Sequence, residues 1–458
     1  MPSTTTSVNT LNTTVSVQGA YSGSARSTVQ LPFSGKLSLG EAIERGIRYN
    51  LGAVDMEQAL LQSRGQARVA RSSLLPNLRG DIEDTEETVN LRAVGINFSA
   101  PGFALPSMVG PFNVLDLRAR LTQTVADFTA LNNYRSARDL ARAGKRSAQD
   151  AEDVVVLAVG GSYLQAIAAE ARLKSSRSQL RTANALYQRA LKQLHFGKAT
   201  QLDANRSRIE VLVDRQRVVT LEDDLAKQKI DLARLTGLPP NASYQLSSAI
   251  AYTPAPSLSL ENAIQQALAQ RADLRAAQAQ VKAAEHALDA TRAERYPSLS
   301  TSADYGDIGI PSSALRPTFT VSATLNVPIW NGGRTKGDIQ QAEAALDERR
   351  AELEDTQNQI ESEVRKAYLD LEAAASQIHV AQLNIGLVET TLRQERERFE
   401  AGVSENVNVI QSQESLAGAH LDYIDSVFAY NLAKLSMFRA LGEPVGKIAR
   451  FISVQPTP

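Results

Sequence analysis

Leu37-Ser38-Leu39-Gly40-Glu41-Ala42-Ile43 returns 221 positions later as Leu258-Ser259-Leu260-Glu261-Asn262-Ala263-Ile264, and the same offset carries Arg71, Pro76 and Leu78 onto Arg292, Pro297 and Leu299. An offset of 205 then sets Val159, Tyr163, Leu164, Gly197, Gly237 and Pro239 on Val364, Tyr368, Leu369, Gly402, Gly442 and Pro444. The 458-residue chain therefore reads as one unit written twice, and a missed repeat would misassign every element after it. The offsets differ by sixteen, a loss placed at the loop 95–112, whose counterpart 306–317 is shorter. The expected organisation is a polar N-terminal extension (1–36), a first repeat (37–240), a linker (241–257), a second repeat (258–445) and a tail (446–458).

Prolines bound the next feature. The chain has 17, yet none lies between Pro111 and Pro239 or between Pro328 and Pro444. Helix interiors exclude proline, which lacks an N–H and clashes with the preceding turn, so two long helical tracts are predicted. In the first, Leu180, Ala183, Tyr187, Ala190 and Leu194 alternate steps of three and four, a coiled-coil seam. The second keeps phase at Ile385, Val388, Leu392, Glu395 and Phe399, with Glu395 the one polar break. Stripes of this kind are, taken alone, simply core. Phe196-Gly197 and Ala401-Gly402 each offer a glycine for the left-handed turn that ends a helix, so each tract folds into a hairpin, about 131–236 and 334–441. Asn132–Leu194 is 63 residues, or ~95 Å of helix, which needs partners along its whole length.

Between short helices and hairpins the period changes to two. Leu115, Leu117, Ala119 and Leu121 alternate with Asp116, Arg118, Arg120 and Thr122; the second copy has Phe319, Val321, Ala323 and Leu325 against Thr320, Ser322, Thr324 and Asn326. Strands are expected about 112–125 and 317–328, paired with strands about 77–90 and 298–308. A soluble antiparallel sheet shows the same alternation. Here, however, four strands fed by very long helices have no second layer in the sequence to bury their apolar face, and a bilayer would cover it. Open strand edges are not tolerated in lipid, so several chains must share one barrel; three would give twelve strands.

Composition narrows the function. Lys plus Arg is 49 and Asp plus Glu is 50, which argues against nucleic acid as a partner. No cysteine is present, so there is no disulfide, thiolate metal site or lipid-bearing cysteine. The longest apolar run, Val154–Val159, is far short of the roughly 20 residues of a membrane-spanning helix, leaving strands as the expected span. Residues 1–36, rich in Ser, Thr and Asn, are expected to carry no intact secretion signal and to be disordered or a loose strap. The histidines His195, His286, His379 and His420 are scattered, and after Gly332-Gly333 the pair Thr335-Lys336 stands in the wrong order for a phosphate-binding loop. No enzyme, cofactor or metal is expected. Trp330 sits at a strand-to-helix junction, as an anchor at a lipid boundary or as packing.

Leu37-Ser38-Leu39 with Ala42-Ile43, the helix end Leu75-Pro76-Asn77-Leu78, the segment Val327-Pro328-Ile329-Trp330-Asn331-Gly332-Gly333 and turns at Phe196-Gly197 and Ala401-Gly402 together resemble the TolC-like outer-membrane efflux proteins. The resemblance covers about residues 37–445. It implies a mainly α fold with a membrane β-barrel portion: a homotrimer with a twelve-strand β-barrel in outer-membrane lipid and an α-helical barrel crossing the periplasm. It also implies a periplasmic adaptor protein and an inner-membrane pump of RND, ABC or MFS type as partners, in multidrug, metal or type I secretion export. Membrane-facing residues would be Leu115, Leu117, Leu121, Phe319, Val321 and Leu325. The adaptor would dock around the turns, at Phe196, Gly197, Lys198, Ala401, Gly402 and Val403.

In that family an aspartate ring closes the periplasmic tip six and nine residues beyond the second turn's glycine. Those positions are Asn408 and Gln411 here, neutral amides, so the carboxylate ring is not reproduced. The first repeat gives Asp203 and Arg206 by the same count, and Asp203 has a second reading as an acid favoured by the dipole at a helix start. Two rivals remain. A periplasmic adaptor would carry a single hairpin in a β-rich body, and a structural coiled-coil protein would not explain strands with one apolar face.

Overall fold

The computed structural model describes residues 19–25, 33–96, 99–100, 102–197, 199–249, 252–255, 258–311, 314–401, 403–452 and 455–456. Helices α1 (Leu39–Tyr49) and α2 (Leu51–Ser72) precede strands β1 (Asn77–Asn90) and β2 (Met108–Ala126), then α3 (Phe128–His195) and α4 (Gln201–Leu235). The order recurs as α5 (Leu260–Gln270), α6 (Ala272–Ala293), β3 (Ser298–Gly309), β4 (Arg316–Asn326), α7 (Arg334–Glu400) and α8 (Asn406–Ala440). Lengths pair off as 11 with 11, 22 with 22, 68 with 67 and 35 with 35 residues. The duplicated Leu-Ser-Leu has a local cause. Ser38 Oγ accepts the Glu41 N–H at 3.2 Å and Ser259 Oγ accepts the Asn262 N–H at 3.4 Å, so each serine caps the helix it precedes.

The chain forms two compact units. One comprises residues 1–59, 144–276 and 354–458. Its core brings Leu37 and Ile43 against Val155, Val159 and Tyr163 of α3, Leu232 of α4, and Leu435 and Phe438 of α8. Tyr163 is fully buried, and its hydroxyl donates to the Leu37 carbonyl at 3.0 Å, so the polar tip of a core aromatic is satisfied. Helices α3 and α8 meet at Gly160, where a Cβ would stand 2.8 Å from Leu435 Cδ2, so any larger residue would have to displace the buried Leu435 side chain. Residues 19–25, inside the stretch read as disordered or a loose strap, are docked. The Asn50 side chain donates to the Tyr21 carbonyl at 2.7 Å, Ala25 N–H to the Tyr49 carbonyl at 2.7 Å, and the Tyr21 ring covers Gly52.

One sequence expectation is corrected in part here. Counting unbroken apolar residues found nothing long enough to cross a membrane, but α3 contains an 18-residue window of mean hydropathy 1.6. That window is 72% buried, as befits the central helix of this core.

The other unit comprises residues 60–143 and 277–353. Leu288 of α6 packs with Ile339 and Leu346 of α7. Its sheet runs β1-β2-β3-β4, every pair antiparallel. Leu78 opposes Leu121, Leu121 opposes Ala303, and Ala303 opposes Val321, which fixes one continuous face. Strand β2 starts at Met108, a few residues before the expected 112, so Pro111 lies in the strand and not in the loop that the shortened second copy suggested.

Candidate functional site

The register sorts the sheet's side chains into two chemistries. On one face Leu78, Ile82, Leu121, Tyr305, Phe319, Val321 and Leu325 are exposed, Phe319 at 76% and Val321 at 73%, with Leu115 and Leu117 half-buried. Fully burying a side chain of this size is worth ~1.5–3 kcal/mol, so seven of them withhold roughly 10 kcal/mol or more while bare to water. On the other face Arg118 bonds both Asp116 and Asp304, Asp81 lies 3.3 Å from Arg120 and 3.4 Å from Arg79, and Ser302 meets Ser322 at 2.7 Å. The six residues named as membrane-facing all fall on the first of these faces. The charged ladder opposite was legible only as "polar"; its pairing needs the register.

The first hairpin turn closes on itself. Helix α3 ends at His195, Gly197 takes φ +68, and Thr200 caps α4. The Thr200 hydroxyl accepts the Asp203 N–H at 3.2 Å and donates to Asp203 Oδ2 at 2.6 Å, which also receives the Thr200 N–H at 3.0 Å. This reciprocal box gives the Thr200 N–H a partner and adds a second acceptor for the Asp203 N–H, which also donates to the Thr200 carbonyl at 3.2 Å. Hydrogen bonds from Thr200, side chain first and then backbone, hold the Asp203 carboxyl below the usual range. Of the two readings of Asp203, helix start is the one its contacts occupy. Arg206, one turn on, is exposed.

The second turn is built differently. Ala401 N–H donates to the Glu397 carbonyl and Val403 N–H to the Arg398 carbonyl, both at 3.0 Å, but the N-cap of α8, Glu405, makes no side-chain cap bond. Asn408 holds the third helical position, as Asp203 does on α4; its amide donates to Ser404 Oγ at 3.0 Å, and Ser404 donates to Glu395 Oε2 at 2.8 Å. Gln411 is exposed, as are Phe196, Ala401 and Val403; Lys198 and Gly402 lie outside the described residues. Glu395, the polar break in the seam, is thus the far end of a tie across the turn. The sequence placed Thr200 and Ser404 only within the docking stretches 195–200 and 400–405 and did not show what they bond. Thr200 with Asp203 has the spacing of a capping box, but an Asp in place of Glu weakens the sequence signal.

Above the turns a cavity of about 510 Å³ lies between α3, α4, α7 and α8. Glu210 and Asp214 line it, and burial pushes both carboxyls up, with Asp214 and Glu414 adding repulsion at Glu210. Nearer the tip, Arg189 of α3 reaches Glu400 of α7 at 3.1 Å, an exposed pair of the kind that contributes little.

The family model of outer membrane efflux proteins matches residues 263–443. The pyoverdine export outer membrane protein OpmQ of Pseudomonas putida is 25% identical over 321 residues, 67% of this chain and 67% of OpmQ. The alkaline protease secretion protein AprF of Pseudomonas aeruginosa is 22% identical over 308 residues, 65% of this chain and 63% of AprF. Among solved structures, the CmeC outer membrane channel of Campylobacter jejuni has a TM-score of 0.74 at 16% identity, covering 98% of each chain. The fold of this chain is the fold of that channel.

Proposed function

We infer that this chain, which belongs to the outer membrane efflux protein family, is the outer-membrane exit duct of a tripartite export system with a large periplasmic portion. The family is one of channels, and the duct conducts passively. The observation that carries the reading is the four-stranded sheet, with seven exposed apolar side chains on one face, an ionic ladder on the other and two open edges. Lipid covers the first face, water fills the space behind the second, and copies of the chain close the edges, because unpaired strand groups are not tolerated in hydrocarbon.

A homotrimer with a twelve-strand barrel is the assembly we propose. Helix α4 supports it with Leu202, Ile209, Leu212, Val219 and Ile230, and α7 with Leu369, Val380, Leu383 and Leu387, all exposed and close to heptad spacing. Such seams need helices from other copies. A periplasmic adaptor and an inner-membrane pump are the partners, with the adaptor meeting both hairpin turns. Asn408 and Gln411 form the constriction, and opening follows from tighter adaptor binding to the open form, the one way a ligand shifts such an equilibrium. Folded protein is expected to stay in membranes through a carbonate wash and to extract in detergent as a heat-resistant trimer. A monomer recovered in detergent-free buffer would sink this reading and favour a soluble coiled-coil protein.

A further inference from the structure

The second turn's constriction reading leaves Glu395 unexplained. It sits in the α7 seam, where the matching residue of the first tract is Ala190, and its side chain is only 19% exposed. A carboxylate in an apolar stripe is costly unless its oxygens are bonded. One oxygen faces Arg398 at 3.4 Å; the other takes the Ser404 hydroxyl at 2.8 Å.

The direction of that second bond constrains the amide beside it. An ionised carboxylate only accepts, and a serine hydroxyl has one proton, so Ser404 spends its proton on Glu395 and can offer Asn408 only a lone pair. The contact at 3.0 Å must therefore be made by the Asn408 NH2 group. With that group committed, the amide has its carbonyl oxygen left to present, a partial negative charge. Glu405, the neighbouring N-cap, supplies no competing side-chain bond.

We propose that Glu395 is a positioning residue of the constriction: through Ser404 it ties the second turn to α7 and orients the Asn408 amide with its oxygen toward passing ions. This rests on the reading of Asn408 as pore-lining. The tie gives the constriction a weak preference for cations without an acid in the ring, and it sets how firmly the turn is held.

The test uses the full-length trimer. Glu395→Ala and Ser404→Ala are each expected to raise amide hydrogen exchange over residues 403–409 about tenfold, the factor that ~1.4 kcal/mol carries, the net contribution of one hydrogen bond. Both should move the single-channel reversal potential toward zero in a salt gradient. The double variant should match the singles. Glu395→Gln keeps an acceptor for Ser404 and should exchange within about threefold of the parent, under ~0.7 kcal/mol. Glu395→Gln behaving like Glu395→Ala would overturn the proposal, because a field effect and not positioning would be at work. So would a silent Ser404→Ala, or additive singles.

The pore-lining premise has its own readout. The chain has no cysteine, so Asn408→Cys creates a unique thiol. Block of conductance by a charged thiol reagent supports the constriction. Absence of block overturns that premise and the selectivity half of the proposal, while the exchange results still decide the tie.

Discussion

The two hairpin turns begin from related sequence and end with different wiring. In the first, Thr200 and Asp203 satisfy each other within four residues, and no bond of that box reaches α3. In the second the cap is empty, and the same helical position, Asn408, is bonded through Ser404 back to Glu395 on the preceding helix. A turn capped locally can move as a body without losing its bonds. A turn tied to the preceding helix cannot, and moving it relative to α7 breaks the tie. If only one hairpin of each protomer swings when the duct opens, the second turn is the one whose bonds register that motion.

The sharpest way to erase the contrast is Asn408→Asp, which gives the second turn the acid that the first already has. Three copies would place three carboxylates at the constriction, and single-channel recordings are expected to show block by millimolar divalent cation that the parent lacks. Unblocked current would remove Asn408 from the pore wall.

Gly197→Val comes next. Nothing crowds a Cβ there, but φ is +68, so the cost is backbone strain, about 1–2 kcal/mol and more for a branched residue. Exchange of amides 196–204 should rise tenfold or more while amides 406–410 stay as they were; a change in both would mean the turns are not independent. Thr200→Ala removes both bonds of the hydroxyl and leaves the backbone N–H of residue 200 on Asp203, at about 1 kcal/mol, or roughly fivefold in exchange, whereas Glu405→Ala should do almost nothing, since no side-chain cap is lost.

The smallest effect is with pH. The folded Asp203 carboxyl lies below its unfolded value, so the folded state holds fewer protons and the contribution is complete above the unfolded pKa, near 3.9, and is lost as pH falls through the folded value. Protection of the first turn is expected to be flat from neutral pH to about 4 and to fall only below that. Asp203→Asn should abolish the step, and a step near neutrality would contradict the box.

Much of this was legible in sequence. Proline-free tracts gave the long helices because one missing N–H is enough to exclude the residue, and alternation at Phe319–Leu325 gave a strand because one face had to stay apolar. β1 was harder: its outward set runs Leu78, Gly80 and Ile82, then Asp84 and Glu86, so the period of two loses its contrast halfway along. Pairing of β2 with β3 joins the halves of the chain through residues far apart in sequence, 186 positions at Arg118–Asp304, and local pattern carries no register over such a gap. At the turns, sequence counting found Asn408 and Asp203 but not what bonds them. Glu395 read as a flaw in the stripe because its partner is nine residues on, past a turn.

The strand count has a further consequence. With an even number of alternating strands, β1 and β4 are the free edges of the sheet and point in opposite senses, so in a shared barrel β4 of one copy would meet β1 of the next in antiparallel fashion however many copies join. Each such junction would be head-to-tail, the kind that closes into rings. Parity would thus make the sheet indifferent to ring size, and stoichiometry would fall to the curvature that the helical seams impose. Changing the number of subunits would take substitutions on α4 and α7, not on the strands.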